Sequence, residues 1–162
     1  MKRKAISKRN DKTEEKVIFR KAKPDDGAAM AHLDGLCFSD PWSRASFDRE
    51  LDDNGLAYYL LAEFDGEIIG YAGLWLIVDE GHITNIAVHP GYRCKGIGGR
   101  LLSRLMELAE DGGFRRFTLE VREGNDNAIR LYERYGFHIA GCRKGYYENN
   151  GENALIMWRA SL

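Results

Sequence analysis

Within ten residues, between Val88 and Gly98, the apolar pattern of this chain changes its period, and that change constrains the fold more than any other feature. Before it, Ala57 to Phe64 and Glu67 to Val78 are strand-like runs rich in Tyr, Leu and Ile, separated by the hairpin dipeptide Asp65-Gly66. A turn at Asp79-Glu80-Gly81 returns the chain into His82-Ile83-Thr84-Asn85-Ile86-Ala87-Val88, so the pattern predicts a three-stranded antiparallel meander that stops at Pro90-Gly91. After it, Leu101, Leu102, Leu105, Met106, Leu108 and Ala109 recur at helical spacing until Gly112-Gly113. Phe117 to Val121 is then a strand, and a strand, helix, strand order predicts a right-handed crossover to a parallel neighbour. A doubly wound dinucleotide sheet is disfavoured, because an antiparallel meander feeds the glycine loop.

The flanks complete one domain. Val17-Ile18-Phe19-Arg20 reads as a first strand. Pro24-Asp25-Asp26 starts a helix running to about Cys37, and Pro41 breaks it before Ser43 caps a second helix carrying Phe47 and Leu51. Asn125 or Asp126 caps a helix whose Ala128, Leu131, Tyr132 and Tyr135 share a face, with Gly136 as its stop. A last hairpin, Phe137 to Tyr147 and Asn153 to Ala160, turns at Asn149-Asn150-Gly151. We therefore expect a basic, solvated tail over residues 1–16 and a single domain over residues 17–162.

Composition removes several function classes. A formal net charge of −1 gives no global pull toward nucleic acid or anionic lipid. No apolar run approaches the roughly 20 residues of a membrane span, and the charged N-terminus is not a signal peptide, so we expect a cytoplasmic protein. Cys37, Cys94 and Cys142 form no CxxC pair and read as free thiols. His32, His82, His89 and His138 lack helical metal-ligand spacing and an obvious acidic or cysteine companion, so no metal is expected.

The chemistry lies in Arg93-Cys94-Lys95-Gly96-Ile97-Gly98, where glycines let backbone N–H groups approach a phosphate while the helix N-terminus adds partial positive charge. Arg93, Lys95 and Arg100 add formal charge. Gly99-Arg100 stands where a Walker loop needs Lys-Ser/Thr, which disfavours nucleoside triphosphate hydrolysis.

Two motifs carry a resemblance. Ile86-Ala87-Val88-His89-Pro90-Gly91-Tyr92-Arg93-Cys94-Lys95-Gly96-Ile97-Gly98-Gly99-Arg100-Leu101-Leu102 resembles the Gln/Arg-x-x-Gly-x-Gly/Ala hallmark of the GNAT acetyltransferases. Asn125-Asp126-Asn127-Ala128-Ile129-Arg130-Leu131-Tyr132-Glu133-Arg134-Tyr135-Gly136-Phe137 matches their Asn-x-x-Ala-x-x-Leu-Tyr-x-x-x-Gly-Phe element. The resemblance implies an α/β fold with a mixed, mostly antiparallel twisted sheet, about four flanking helices, and a parallel strand pair splayed at the acetyl-CoA site. It also implies that N–H groups from Arg93, Cys94, Lys95, Gly96, Ile97, Gly98 and Gly99 hold the pyrophosphate. Exposed backbone of Ile86, Ala87 and Val88 would pair with the pantetheine arm, and Asn125 would touch the same arm.

Within the family, Cys37-Phe38-Ser39-Asp40-Pro41-Trp42-Ser43, Leu119-Glu120-Val121-Arg122 and Tyr146-Tyr147-Glu148-Asn149-Asn150-Gly151-Glu152-Asn153-Ala154 are similar to the RimI-type enzymes. Those acetylate the N-terminal alanine of a small-subunit ribosomal protein, which implies a protein N-terminus as partner; a monomer or weak dimer is expected. They usually carry an acidic residue where this chain has Asn153. From periodicity alone Tyr132 packs in the core and a lone strand glutamate such as Glu120 faces solvent. The resemblance instead makes Glu120 the general base and Tyr132 the acid for the departing thiolate. Trp42 and Tyr146 would wall the peptide groove, or Trp42 plugs the core behind Pro41. Competing expectations are acetylation of a small-molecule amine or lysine, and a non-catalytic acyl-CoA sensor.

Overall fold

The computed structural model describes residues 16–160. The basic segment 1–16, apart from Lys16, lies outside the described residues. Strands β1 (Ile18–Lys21), β2 (Ala57–Phe64), β3 (Glu67–Ile77), β4 (Glu80–Val88), β5 (Arg116–Arg122), β6 (His138–Arg143) and β7 (Ala154–Ala160) form one sheet in the order β1-β2-β3-β4-β5-β7-β6. Among the described residues only β4 and β5 pair in parallel. The helices are α1 (Gly27–Cys37), α2 (Arg44–Asp52), α3 (Ile97–Asp111) and α4 (Asp126–Arg134).

Local chemistry sets the element ends. The β2–β3 turn puts Asp65 and Gly66 at φ 49° and 78°, the positive-φ pair that an Asp-Gly hairpin supplies. Ser43 Oγ accepts from Ser46 N at 3.2 Å to cap α2, and Asn125 Oδ1 accepts from Ala128 N at 3.2 Å to cap α4. Gly136, at φ 92°, ends that helix in the left-handed conformation glycine tolerates best.

Two differences from the expected elements have physical causes. The β3–β4 turn lies earlier than the sequence suggests, with Val78 at φ 57° and Glu80 already in β4. The strand expected from Phe137 to Tyr147 spans only His138–Arg143. Phe137 is buried against Tyr132, and Gly145, at φ 63°, donates its N–H to Asn153 Oδ1, so the following segment becomes a built loop rather than a strand.

The sheet is covered on both faces. On one, Leu101, Leu102, Leu105 and Met106 of α3 and Tyr132 of α4 pack on Leu60, Leu74, Ile83, Phe117 and Leu119. On the other, Met30 and Leu33 of α1 and Phe47 of α2 pack on Tyr59, Leu61, Tyr71 and Ala87. Ile83 and Ala87 are four apart yet face opposite clusters, which a regular strand forbids. The register explains it: Gly73 opposes Asn85 while Leu74 opposes Ile83, so Thr84 is an extra, bulged residue. The bulge sits where β4 and β5 part. Their pairing runs from Glu80↔Arg116 to Ile83↔Leu119 and stops, whereas β4 continues along β3 to Val88 and β5 along β7 to Arg122. A fork therefore opens in mid-sheet.

Candidate active site

The fork exposes backbone in the interior of a sheet. His89 N donates to Ile69 O at 2.8 Å, so by strand alternation the polar groups of His89 and Ala87 point to β3, and those of Ile86 and Val88 point into the fork. Ile86 and Val88 can thus pair with an extended ligand as with an added strand. Ala87 instead packs its small side chain on the α1–α2 face. Val88 O is held by Arg93 Nε at 3.0 Å and by Cys37 Sγ at 3.3 Å, and Ile86 N donates to Asn85 Oδ1 at 3.0 Å.

The glycine loop stands directly above this edge. Cys94 and Gly96 have φ 61° and 77°, and Gly96 is the N-cap of α3. Left-handed residues within a loop re-aim its N–H groups, and the first N–H groups of α3 lack intrahelical partners. Both features favour an anion there. Arg93 ties the loop to β4, and Lys95 Nζ sits 5.5 Å from the Tyr92 ring centre. A Cβ on Gly98 would meet Val88 and Leu131 at 3.6 Å, which puts this position at the junction of loop, fork and α4. Gly99 instead serves packing, because a Cβ there would collide with the Tyr135 hydroxyl and hold α3 and α4 apart.

Glu120 is the first β5 residue beyond the last β4 pairing, on the α1–α2 face. Its Oε2 lies 2.6 Å from His82 Nε2, and its Oε1 lies 4.0 Å from Arg143. The His82 hydrogen bond holds this carboxyl below its usual range, against a partial opposing effect of burial. Tyr132 occupies the opposite face. Burial pushes its phenol well above the ordinary range, with the nearby Tyr147 adding to the effect, so it keeps its proton at neutral pH. Tyr147, in the β6–β7 loop, is close enough to feel both Glu120 and Tyr132 electrostatically. Burial is the main cause of its own upward shift, which Glu120 reinforces, and the Arg122 guanidinium lies 3.8 Å from its ring centre.

The α1–α2 loop is anchored by a buried carboxyl. Asp34 Oδ2 accepts from Trp42 N at 3.0 Å and Oδ1 accepts from Tyr71 OH at 2.5 Å; Asn85 Nδ2 donates to that hydroxyl at 3.2 Å. Desolvation raises the Asp34 carboxyl even though both hydrogen bonds favour its charged form. The network links Trp42 to the bulged strand. Trp42 itself packs on Phe47, with ring centres 5.5 Å apart and planes tilted by 49°, and is 41% exposed, lining an open groove with Ser46, Arg49 and Glu50. Tyr146, in the β6–β7 loop, is 45% exposed, with Arg143 5.8 Å from its ring centre.

His82, Asp34, Asn85 and Tyr147 are missed by sequence reasoning. His82 finds its acidic companion across a strand pair, 38 residues away, where linear spacing gives no sign. Tyr147 differs from its neighbour Tyr146 only in which way the loop turns it. Asn125, expected against a ligand arm, serves visibly as a helix cap. No three His, Cys, Asp or Glu side chains converge as a metal site among the described residues.

Known proteins share this architecture. Residues 27–137 match the acetyltransferase (GNAT) family. A Bacillus subtilis protein, provisionally named a ribosomal protein bS18-alanine N-acetyltransferase, is 41% identical over 143 residues, covering 88% of this chain and 95% of its own. The Mycobacterium tuberculosis N-alpha-acetyltransferase RimI is 37% identical over 142 residues, covering 84% and 87%. The crystal structure of the ribosomal-protein-S18-alanine N-acetyltransferase from Escherichia coli superposes with a TM-score of 0.83 at 30% identity, covering 90% of this chain and 95% of that one. The forked mixed sheet, the glycine loop above it and these similarities together establish that the chain belongs to the GNAT family of acetyl-CoA-dependent acetyltransferases.

Proposed function

We propose that this enzyme transfers the acetyl group of acetyl-CoA to the N-terminal α-amino group of a protein, namely the N-terminal alanine of a small-subunit ribosomal protein, which it would meet in the cytoplasm. The observation that carries the reading is the fork itself, with Glu120 on one face of the sheet and Tyr132 on the other. The names of its Escherichia coli and Mycobacterium tuberculosis relatives point to the same class of acceptor. Among the described residues no helix is long and apolar enough to cross a membrane.

In this reading N–H groups between Arg93 and Gly99 hold the pyrophosphate, Ile86 and Val88 hold the pantetheine arm, and Trp42 and Tyr146 wall the peptide groove. Glu120 takes the proton lost by the attacking amine, and Tyr132 supplies one to the departing thiolate. Direct transfer within a ternary complex fits the Cys37 thiol, which burial pushes up, the opposite of an activated nucleophile. Modest base assistance suits an α-amine, which titrates near 8 and is already partly neutral at pH 7, whereas a lysine near 10.4 is neutral only about once in a thousand.

Side-by-side initial rates at pH 7.5 on a peptide beginning with Ala and on a panel of polyamines and aminoglycosides test the acceptor class. The peptide is expected to exceed the alkyl amines by about a hundredfold, the margin that amine ionisation alone supplies. A polyamine or aminoglycoside turned over faster than the peptide would overturn the assignment.

A further inference from the structure

The loop between β6 and β7 carries both Tyr146 and Tyr147, and residues at the end of β5 hold it in place. The ladder of β5 with β7 ends at Arg122↔Ala154, and one further bond, from Glu123 N to Asn153 O at 3.0 Å, closes it. Arg122 stands two residues after Glu120 on a regular strand, so their side chains leave the same face of the sheet. Its guanidinium donates to Asn149 Oδ1 at 3.1 Å, Asn150 Oδ1 at 3.2 Å and Glu152 Oε1 at 3.3 Å, and it lies 3.8 Å from the centre of the Tyr147 ring. Tyr147 N donates to Glu152 O at 3.1 Å and Gly151 N to Tyr147 O at 2.8 Å, which fixes Tyr147 to the turn that Arg122 grips. Tyr146 in turn packs edge-on against Tyr147, with ring centres 5.1 Å apart.

A second grip lies beside the first. Asn153 Oδ1 accepts from Gly145 N at 3.0 Å, while its Nδ2 donates to Glu123 Oε2 at 3.0 Å. An amide suits both contacts, whereas a carboxylate at 153 would accept from Gly145 but set like charge against Glu123. Glu152 Oε2 also accepts from Gly124 N at 2.9 Å. The segment from Arg122 to Gly124 thus holds the two tyrosines from both sides. Through Asn153 it fixes Gly145, just before Tyr146, and through Asn149, Asn150 and Glu152 it fixes the turn after Tyr147.

A loop tied only at its strand ends must be ordered when a peptide docks, and that ordering weakens binding; a loop already held in place avoids the loss. Resting on the reading of Tyr146 as a wall of the peptide groove, we propose that Arg122 is a positioning residue for the acceptor, acting through Tyr147 and Tyr146, with the Asn153–Glu123 pair as its second point of hold. The three hydrogen bonds and the ring contact of its guanidinium all go to the β6–β7 loop, whereas the coenzyme is read onto Ile86, Val88 and the glycine loop. The grip therefore sets acceptor binding and leaves acetyl-CoA affinity alone. Lysine does not replace arginine here, because an ammonium has neither a planar face for the Tyr147 ring nor a fork that spans three oxygens.

The test is steady-state kinetics with a peptide beginning with Ala at saturating acetyl-CoA, beside acetyl-CoA affinity by calorimetry. In Arg122→Lys the peptide KM should rise about tenfold, with kcat within about threefold and acetyl-CoA affinity within about twofold of the parent. Asn153→Asp should raise the peptide KM about fivefold, and adding Glu123→Gln, which restores a donor opposite the new carboxylate, should bring it back to within about twofold. A general loss of stability would not be rescued in this way. Glu123 is exposed and Asn153 half-buried, so this pair reads the grip even where Arg122→Lys fails to fold. Tyr146→Ala reports on the groove itself. A raised peptide KM in Tyr146→Ala, with unchanged values in Arg122→Lys and Asn153→Asp, overturns the grip and leaves Tyr146 in the groove. An unchanged KM in all three variants overturns the grip and the groove assignment together. Losses of kcat and acetyl-CoA affinity as large as the rise in KM would make Arg122 a structural residue and overturn its positioning role.

Discussion

Gly98→Glu should abolish coenzyme A binding. The position sits one residue inside α3, beside the N–H groups that favour an anion, and its Cβ direction leads toward Val88 and Leu131 at the mouth of the fork. A methyl there makes only ordinary contacts at 3.6 Å, so Gly98→Ala should bind acetyl-CoA nearly as well as the parent and serves as the control for shape. A carboxylate adds like charge against the pyrophosphate. At about 4 Å and an effective dielectric near 20 that repulsion is about 4 kcal/mol, or roughly a thousandfold in Kd. Titration calorimetry with acetyl-CoA measures it directly, and retained affinity in the glutamate variant would remove the loop from the phosphate site.

Tyr132→Phe should separate binding from chemistry. The phenol is buried on the α3–α4 face, and burial keeps it protonated across the working pH range, as an acid awaiting the thiolate must be. Removing only the hydroxyl leaves the ring's packing on Phe137, at 5.9 Å, in place. The expected result is a fall in kcat of about a hundredfold or more, with the acetyl-CoA affinity within about twofold of the parent. The melting temperature should move little, because the variant loses one hydroxyl and keeps the ring that fills the core. Unchanged kcat would take Tyr132 out of the mechanism and return it to the packing role that its helical spacing with Leu131 and Tyr135 suggests.

Much of the fold is legible in the sequence because it is written locally. Asp65-Gly66 codes its own turn, Ser43 and Asn125 cap their own helices, and the change of period at Val88 locates the crossover. The β6 boundary is not local. It depends on Gly145, Asn153 and the turn from Tyr147 to Gly151, whose hydrogen bonds cross the hairpin. The bulge at Thr84 is equally invisible, since only the register against β3 reveals it, and yet it accompanies the parting of β4 from β5 that defines the site.

The same distinction divides the site residues. The glycine loop announces itself through spacing, and Glu120 and Tyr132 stand on motifs. Their surroundings do not: His82 meets Glu120 across the strand pair, Tyr71 meets Asp34 across the sheet-to-helix interface, and Arg122 of β5 stacks on Tyr147 of the β6–β7 loop. Each of these pairs joins residues far apart in the chain, where pattern carries no information about contact. A further case is Ala87, whose place between Ile86 and Val88 suggests a shared role. Strand alternation turns its backbone to β3 and leaves the fork to its two neighbours.

Acetyl transfer to a protein α-amine, rather than to a side-chain amine, is decided by thiol release from acetyl-CoA with two peptides beginning Ala-Arg. They are identical and both contain lysine, but one has its α-amino group blocked. Turnover of the free peptide alone is expected; equal turnover of both would refute α-amine specificity and assign the acetyl group to lysine.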